Sequence, residues 1–168
     1  MLLRTEIGLD AAGIDALTRH GLQQPQLADR IRGLRESGQI TLGVVATDDE
    51  GQILGYLAFS PIQVNGEEQH WVVLAAKVIA PDYASTSLSE QLLFEALDSL
   101  NEFSYRAAVG YQYTDWLITH GFQRALGLAI DGFTHQDVVV YPLEEQGAGQ
   151  LSALLTLPSV AATEPTTP

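Results

Sequence analysis

A short run of small polar residues is the stretch of this sequence best suited to bind an anion. It carries Ala84 and the hydroxyl groups of Ser85, Thr86, Ser87 and Ser89, and it stands between two apolar segments. The first N–H groups of a helix have no acceptor within that helix, and the helix dipole attracts negative charge. The run therefore predicts either an anion site or, more simply, a cap for the helix that follows.

The elements on either side of this loop have the clearest patterns in the sequence. Trp71 to Ile79 is apolar at nearly every position, which is typical of a strand buried on both faces. The segment from 88 to 103 predicts an amphipathic helix, whose apolar stripe consists of Leu88, Leu92, Leu93, Ala96, Leu97 and Leu100. Ser87, with Glu90 three residues later, predicts a capping box at the helix start.

This order of strand, loop and helix, together with the run Leu93 to Phe103 and the pair Gly121-Phe122, resembles the GNAT superfamily of acyl-CoA-dependent N-acetyltransferases. The resemblance covers roughly residues 1–143. It implies an α/β (α+β) fold of the GNAT type: a mixed, mostly antiparallel, seven-stranded sheet flanked by helices. It also implies that the acyl-pantetheine lies where the strand at Trp71 splays from a parallel strand at Tyr105–Tyr111. The implied acyl-CoA contacts are Val78, Ile79, Ser85, Thr86, Ser87, Leu88 and Ser89.

The loop departs from the family pattern at its defining positions. That pattern is Arg/Gln-x-x-Gly-x-Gly/Ala, and Ala84, Ser87 and Ser89 stand at those three positions. Loss of the Arg removes a charge-assisted hydrogen bond of on the order of 1.5–3 kcal/mol. Each Cβ also obstructs the close approach of a phosphate to the backbone. The combined cost, roughly 3–5 kcal/mol or about 100- to several-thousand-fold in affinity, predicts weak or lost acetyl-CoA binding.

The residues that would move protons are also absent from their expected positions. In the family a Tyr in a Tyr-x-x-x-Gly-Phe-like segment reprotonates the leaving thiolate, but Leu117 stands at that position and has no proton to donate. Tyr111, Tyr113 and His120 are weak candidates to replace it. Core burial of the tyrosines and a helix-end role for His120 are the competing interpretations. The centre of the strand, residues 72–76, holds no carboxylate that could act as a general base.

The remaining acidic residues and the histidines predict no further catalytic or metal site. Glu67 and Glu68 follow the Asn65-Gly66 hairpin signal, so we interpret them as solvated turn residues. No metal is predicted, because the histidines show no metal-ligand spacing; they are His20, His70, His120 and His135.

Length and composition limit the remaining possibilities. The 168 residues suit one domain with a full core, and the absence of cysteine excludes disulfides. The net charge of −13 argues against nucleic acid and anionic membranes as partners. The sequence shows no signal peptide and no apolar run of roughly 20 residues, which predicts a cytoplasmic protein.

The rest of the chain predicts two helices and further strands around this central unit. The predicted segments are a strand at 1–7, a helix capped by Asp10 that ends at Gly21, a helix from Pro25 to Gly38, strands at 40–47 and 52–64, and a closing hairpin of 122–130 with 134–143. The domain is predicted to span 1–143. A C-terminal extension at 144–168 is expected to form one docked turn at 151–157 and to be disordered at 161–168.

These features together predict a catalytically degenerate GNAT-like protein that acts as a binding or regulatory module through a protein partner or a homodimer. The alternative is an active acyl-CoA-dependent N-acetyltransferase with an atypical pyrophosphate loop, so the sequence leaves open whether the protein is an enzyme.

Overall fold

The computed structural model describes residues 1–133, 137–144 and 152–159. Within these ranges, four helices flank a single sheet. The helices are α1 (Ala11–Ala16), which continues into a π-helical turn (Leu17–Gly21), α2 (Pro25–Glu36), α3 (Leu88–Glu102) and α4 (Thr114–Thr119). The strands are β1 (Leu2–Thr5), β2 (Leu42–Thr47), β3 (Ile53–Val64), β4 (Glu67–Ile79), β5 (Ala107–Gly110), β6 (Gln123–Arg124), β7 (Leu128–Ile130), β8 (Val139–Pro142) and β9 (Ala153–Thr156).

The sheet confirms the predicted fold class. Its main order is β1-β2-β3-β4-β5-β8-β6, and β9 joins β3 to β7 off this path. Every pairing is antiparallel except β4 with β5 and β7 with β9. The described residues contain nine strands rather than the seven expected, because the predicted strand 122–130 is divided into β6 and β7 and because β9 joins the sheet.

Turn-forming residues set two element boundaries that the sequence predicted correctly, the β3–β4 turn and the start of α2. Asn65 and Gly66 have φ angles of 52° and 81°, the paired positive values of the tight turn that joins β3 to β4. Pro25 stands in the first turn of α2, where its missing N–H costs nothing. Beyond the helix end, Gly38 has a φ of 71°.

The C-terminal part of the sheet differs from the prediction. β6 pairs with β8 over two residues, but β7 pairs with β9 instead of completing the expected hairpin; Thr134 lies outside the described residues. The segment expected to form a docked turn is strand β9. Its Leu154 carbonyl accepts a hydrogen bond from the Asn65 amide, and its Leu154 amide donates one to the Asn65 side-chain oxygen Oδ1. The sheet therefore continues past residue 143, while the predicted disorder at 161–168 lies outside the described residues.

Asp10 stands at the predicted N-cap position of α1, directly after a 3-10 turn (Gly8–Asp10), but its side chain makes no hydrogen bond to an amide of α1. Its carboxylate instead accepts two hydrogen bonds of 2.8 Å from Arg4 and one of 2.7 Å from the Ile7 amide. The Arg4 guanidinium lowers the pKa of Asp10. The carboxylate therefore fastens β1 to the following turn rather than starting the helix.

The two faces of the sheet carry separate cores. α1 and α2 pack on one face, where Tyr56 and Val78 are fully buried. α3 and α4 pack on the other face against apolar side chains of β2, β3, β4 and β8. Among the described residues, no helix is long and apolar enough to cross a membrane.

Candidate functional site

The candidate site lies where β4 and β5 separate. These parallel strands pair only from Trp71–Val73 to Ala107–Val109, and β5 ends at Gly110. β4 continues to Ile79, paired with β3 alone. The structure thus has the splay between parallel strands that the resemblance implied, and the polar loop follows directly from the longer strand.

A bulge in β4 decides which side chains face this gap. Leu74 lies opposite Phe59 and Ala76 lies opposite Ala58, so Ala75 is an extra residue in the strand. Simple alternation from Leu74 would place Ala76 on the α3 face, but Ala76 packs on the opposite face, toward α2. The bulge therefore turns Lys77 toward α3 and α4.

The loop caps α3, but not as predicted. The Ser87 side chain makes no capping hydrogen bond; its Oγ accepts a 2.7 Å hydrogen bond from the side chain of Gln91. Thr86 caps the helix instead, because its Oγ1 accepts from the Leu88 amide at 3.3 Å and donates to the Tyr83 carbonyl at 2.7 Å. The Ser87–Glu90 capping box was wrong, since a side chain one position earlier reaches the helix amide.

The predicted acyl-CoA contacts fall into two groups. Ser85, Thr86 and Ser87 are exposed and Ser89 is half-buried, so their backbone can meet a ligand. Within the described residues, the Ser85, Ser87 and Ser89 amides donate no hydrogen bond, as an anion site requires. The side chains of the second group are less accessible. Val78 is buried in the core beneath α1 and α2, Leu88 is buried in the core beneath α3 and α4, and Ile79 is half-buried.

Positive charge near this loop is scarce. Arg106, close to the loop region in sequence, lies just before β5 and pairs with Glu144 at 2.9 Å. β5 begins opposite Trp71, so roughly 26 Å of β4 separates Arg106 from the loop that follows Ile79. Lys77, two residues before the end of β4, therefore lies nearer to the loop than Arg106 does.

Aromatic side chains bridge the gap between β4 and the helices. The Lys77 ammonium lies 4.2 Å from the ring centroid of Trp116 and 4.9 Å from that of Tyr113. Trp116 contacts His120 edge to face at 5.3 Å, and His120 contacts Phe94 of α3 at 5.7 Å. These contacts form a continuous line from β4 through α4 to α3, and we call this set of five side chains the aromatic bridge.

Leu117 stands next to the bridge and faces the core. It is 0% exposed and packs among side chains of α3 and β8. A Cβ added at Gly110 would overlap the Leu117 side chain, so the glycine at the end of β5 makes room for it. The position that carries a phenol in the family is therefore filled by a buried hydrocarbon.

The three proposed replacement acids lie in different environments. Tyr111 is buried and stacks on Phe133 at 5.9 Å, and burial raises its pKa. Tyr113 adopts a left-handed conformation before α4, with a φ of 55°, beside Lys77. Burial raises the pKa of Tyr113 as well. His120 lies within the aromatic bridge, 3.8 Å from Glu90. Of the three, Tyr113 alone contacts Lys77.

Sequence reasoning missed one residue that faces the strand junction. Arg30 of α2 donates a 3.3 Å hydrogen bond to the carbonyl of Ala75 at the bulge. Its positive charge also acts on Tyr111 and Tyr113, where it partly offsets the effect of burial on their pKa values. Arg30 lies 45 residues before Ala75, and no local pattern links the two positions. Glu67 and Glu68 are exposed, as expected for turn residues.

A sheet split between parallel strands, followed by a loop that presents amides at a helix start, defines a GNAT-type fold. Comparison with known proteins agrees. N-acetyltransferase YhbS of Escherichia coli strain K12, itself uncharacterized, is 51% identical over 109 residues, which is 65% of this chain and 65% of that protein. The match thus spans slightly less than two thirds of the relative. No family model matches the chain.

Solved structures extend the likeness to nearly the whole chain. The crystal structure of the GNAT family N-acetyltransferase YhbS from Escherichia coli, in complex with CoA, superposes with a TM-score of 0.88 at 39% identity, covering 95% of this chain and 90% of that one. A Brucella melitensis GNAT acetyltransferase in complex with acetyl-CoA shares the fold, with a TM-score of 0.77 at 22% identity, covering 95% and 96%. The chain belongs to the GNAT family of N-acetyltransferases.

Proposed function

We propose that this GNAT-family protein has lost acetyl transfer to free amines and acts as a binding or regulatory module built on the acyl-CoA cleft. The observation that carries the proposal is the complete burial of Leu117 where the family carries its phenolic acid. A leucine offers the leaving thiolate no proton, and its burial leaves no room there for a water to substitute.

The cleft itself supports weak rather than strong binding of acetyl-CoA. The Ser85, Ser87 and Ser89 amides remain available for a phosphate, but no arginine stands at Ala84. Lys77 of the aromatic bridge lies on β4 beyond the residues that pair with β5. A ligand that entered between the two strands would therefore meet the contact between Lys77 and Trp116.

A regulatory module needs a partner, and α3 presents apolar surface for one. Phe94 and Phe103 are 47% and 66% exposed, although most large apolar side chains of the described residues are buried. A protein partner or a second copy would cover these side chains in a cytoplasmic setting.

The alternative proposal is an active N-acetyltransferase with an atypical pyrophosphate loop. It is supported by the relative of 39% identity whose crystal structure is in complex with CoA. In that case Tyr113 is the phenol best placed to donate a proton, because it lies beside the strand gap.

A steady-state assay separates the two proposals. Thiol release from acetyl-CoA is measured across a panel of primary amines, with the Escherichia coli relative assayed in parallel. For any amine that the relative acetylates, we expect this protein to show no multiple turnover above the uncatalysed rate, because it lacks both the acid and the phosphate-binding arginine. Amine-dependent turnover by this protein would establish the active alternative instead.

A further inference from the structure

The chain contains a single lysine, and the fold places it on β4 beyond the segment that pairs with β5. The other seven basic residues are arginines, and Lys77 is the only side-chain amine among 168 residues. It lies on β4 four residues beyond Val73, the last residue that pairs with β5. The bulge at Ala75 turns its side chain toward α3 and α4, as described above.

The surroundings of this amine are aromatic rather than acidic. Its nitrogen lies over the rings of Trp116 and Tyr113, and in residues 1–133, 137–144 and 152–159 no carboxylate forms an ion pair with it. By contrast, most arginines of the chain are ion-paired: Arg4, Arg19, Arg32, Arg35, Arg106 and Arg124. A half-buried lysine without a carboxylate holds its proton less firmly, and burial lowers the pKa of Lys77. Burial therefore favours the neutral, nucleophilic amine, and the attraction of the two ring faces for the ammonium acts against it.

We propose that the Lys77 amine is an acyl acceptor, modified once by an acyl thioester that enters the gap between β4 and β5. The neutral nitrogen attacks the thioester carbonyl carbon. A C–N bond forms, the C–S bond breaks, sulfur leaves as a thiolate, and the proton lost by nitrogen passes to solvent. The products are an N-acyl-lysine and a free thiol. The inference rests on the cleft of the proposed function and requires no second substrate.

The modification would change the cleft because it removes the charge of Lys77. An amide makes no cation–π interaction, so the acylated side chain loses the electrostatic attraction to Trp116 and Tyr113. The contact that joins β4 to α4 would then depend on packing alone. Acylation of Lys77 by a thioester would therefore weaken the contact between Lys77 and the two rings of the aromatic bridge.

The chain supplies its own reference amine for a test. The α-amine of Met1 is exposed at the surface, near Asp49. An ordinary lysine has a pKa of about 10.4, so at pH 7.5 only on the order of 0.1% of its amine is neutral. An unactivated Lys77 should therefore be acylated far more slowly than an exposed α-amine.

The experiment incubates the folded protein with millimolar acetyl-CoA or with S-acetyl-N-acetylcysteamine, a small thioester without phosphates. Intact mass and peptide mapping then compare the two amines. We expect acetylation of Lys77 at a rate at least equal to that of Met1, and loss of that preference in denaturant. Lys77→Arg, which keeps the charge on the aromatic rings, should be acetylated at Met1 alone.

Acetylation confined to Met1, or a Lys77 rate unchanged by unfolding, would overturn the inference. Modification by the small thioester but not by acetyl-CoA would support it and identify the phosphate loop as the barrier to CoA. Catalytic acetylation of external amines would refute the proposed loss of acetyl transfer, but it would not bear on acylation of Lys77. A failure of the proposed function can therefore be told apart from a failure of this inference.

Discussion

Replacing Ala84 by Arg, Ser87 by Gly and Ser89 by Ala together is expected to raise the affinity for CoA by about 100- to several-thousand-fold. The arginine restores a charge-assisted contact to the pyrophosphate. Ser87→Gly removes a hydroxymethyl side chain and Ser89→Ala removes a hydroxyl group, both at the helix start, where the amides already lack protein acceptors. Ser87 has a φ of −79°, so glycine is not needed there for its backbone freedom, and the expected gain comes from access for the ligand.

Calorimetric titration of the folded variant with CoA provides the measurement. Ser85→Ala is the matched control, since Ser85 is exposed in the same loop but lies outside the family pattern; this variant should not raise the affinity for CoA. A triple variant that folds but still fails to bind would show that the aromatic bridge or the acidic charge, rather than the loop, excludes CoA.

Leu117→Ala is expected to destabilise the protein by about 2–5 kcal/mol, because it empties a fully buried site between α3 and β8. Thermal or denaturant unfolding measures the loss. Leu126→Ala is the matched control: Leu126 is 96% exposed, and its truncation should change stability by less than about 0.5 kcal/mol. A Leu117→Ala variant as stable as the unmodified protein would show that the side chain lines an open cleft.

A second substitution tests the packing of Leu117 directly. Gly110→Ala forces a methyl group into the Leu117 side chain and should cost about 1–3 kcal/mol. In the double variant, Gly110→Ala with Leu117→Ala, the smaller side chain at position 117 leaves room for this methyl group. The combined loss of stability should therefore be less than the sum of the two single losses, and additive losses would contradict the packing described here.

Leu117→Tyr should also destabilise the protein by about 1–3 kcal/mol, and it should not restore acetyl transfer while the loop remains unchanged.

The sequence predicted those features of the fold that depend on local patterns. The apolar run of β4, the stripe of α3 and the Asn65-Gly66 turn are each determined by a few adjacent residues, and the structure confirms them.

The features that were missed depend on contacts between distant segments. β9 forms because Leu154 meets the backbone of Asn65, 89 residues earlier, and its four residues carry no alternating pattern of their own. The bulge at Ala75 cannot be identified from an apolar strand without a glycine to mark it. Because the bulge turns Lys77 toward the aromatic rings, the contacts of the chain's single lysine could not be predicted either.

Titration of the unmodified protein with acetyl-CoA tests the central claim most directly, because a degenerate cleft is first of all a weak binding site. We predict a dissociation constant in the millimolar range, from the loss of roughly 3–5 kcal/mol relative to a micromolar site. Ligand at 100 times that constant would stabilise the fold by about 2.7 kcal/mol, so the same binding appears as a melting shift only at high concentration. Saturation at micromolar acetyl-CoA would contradict the account and establish the cleft as a working cofactor site.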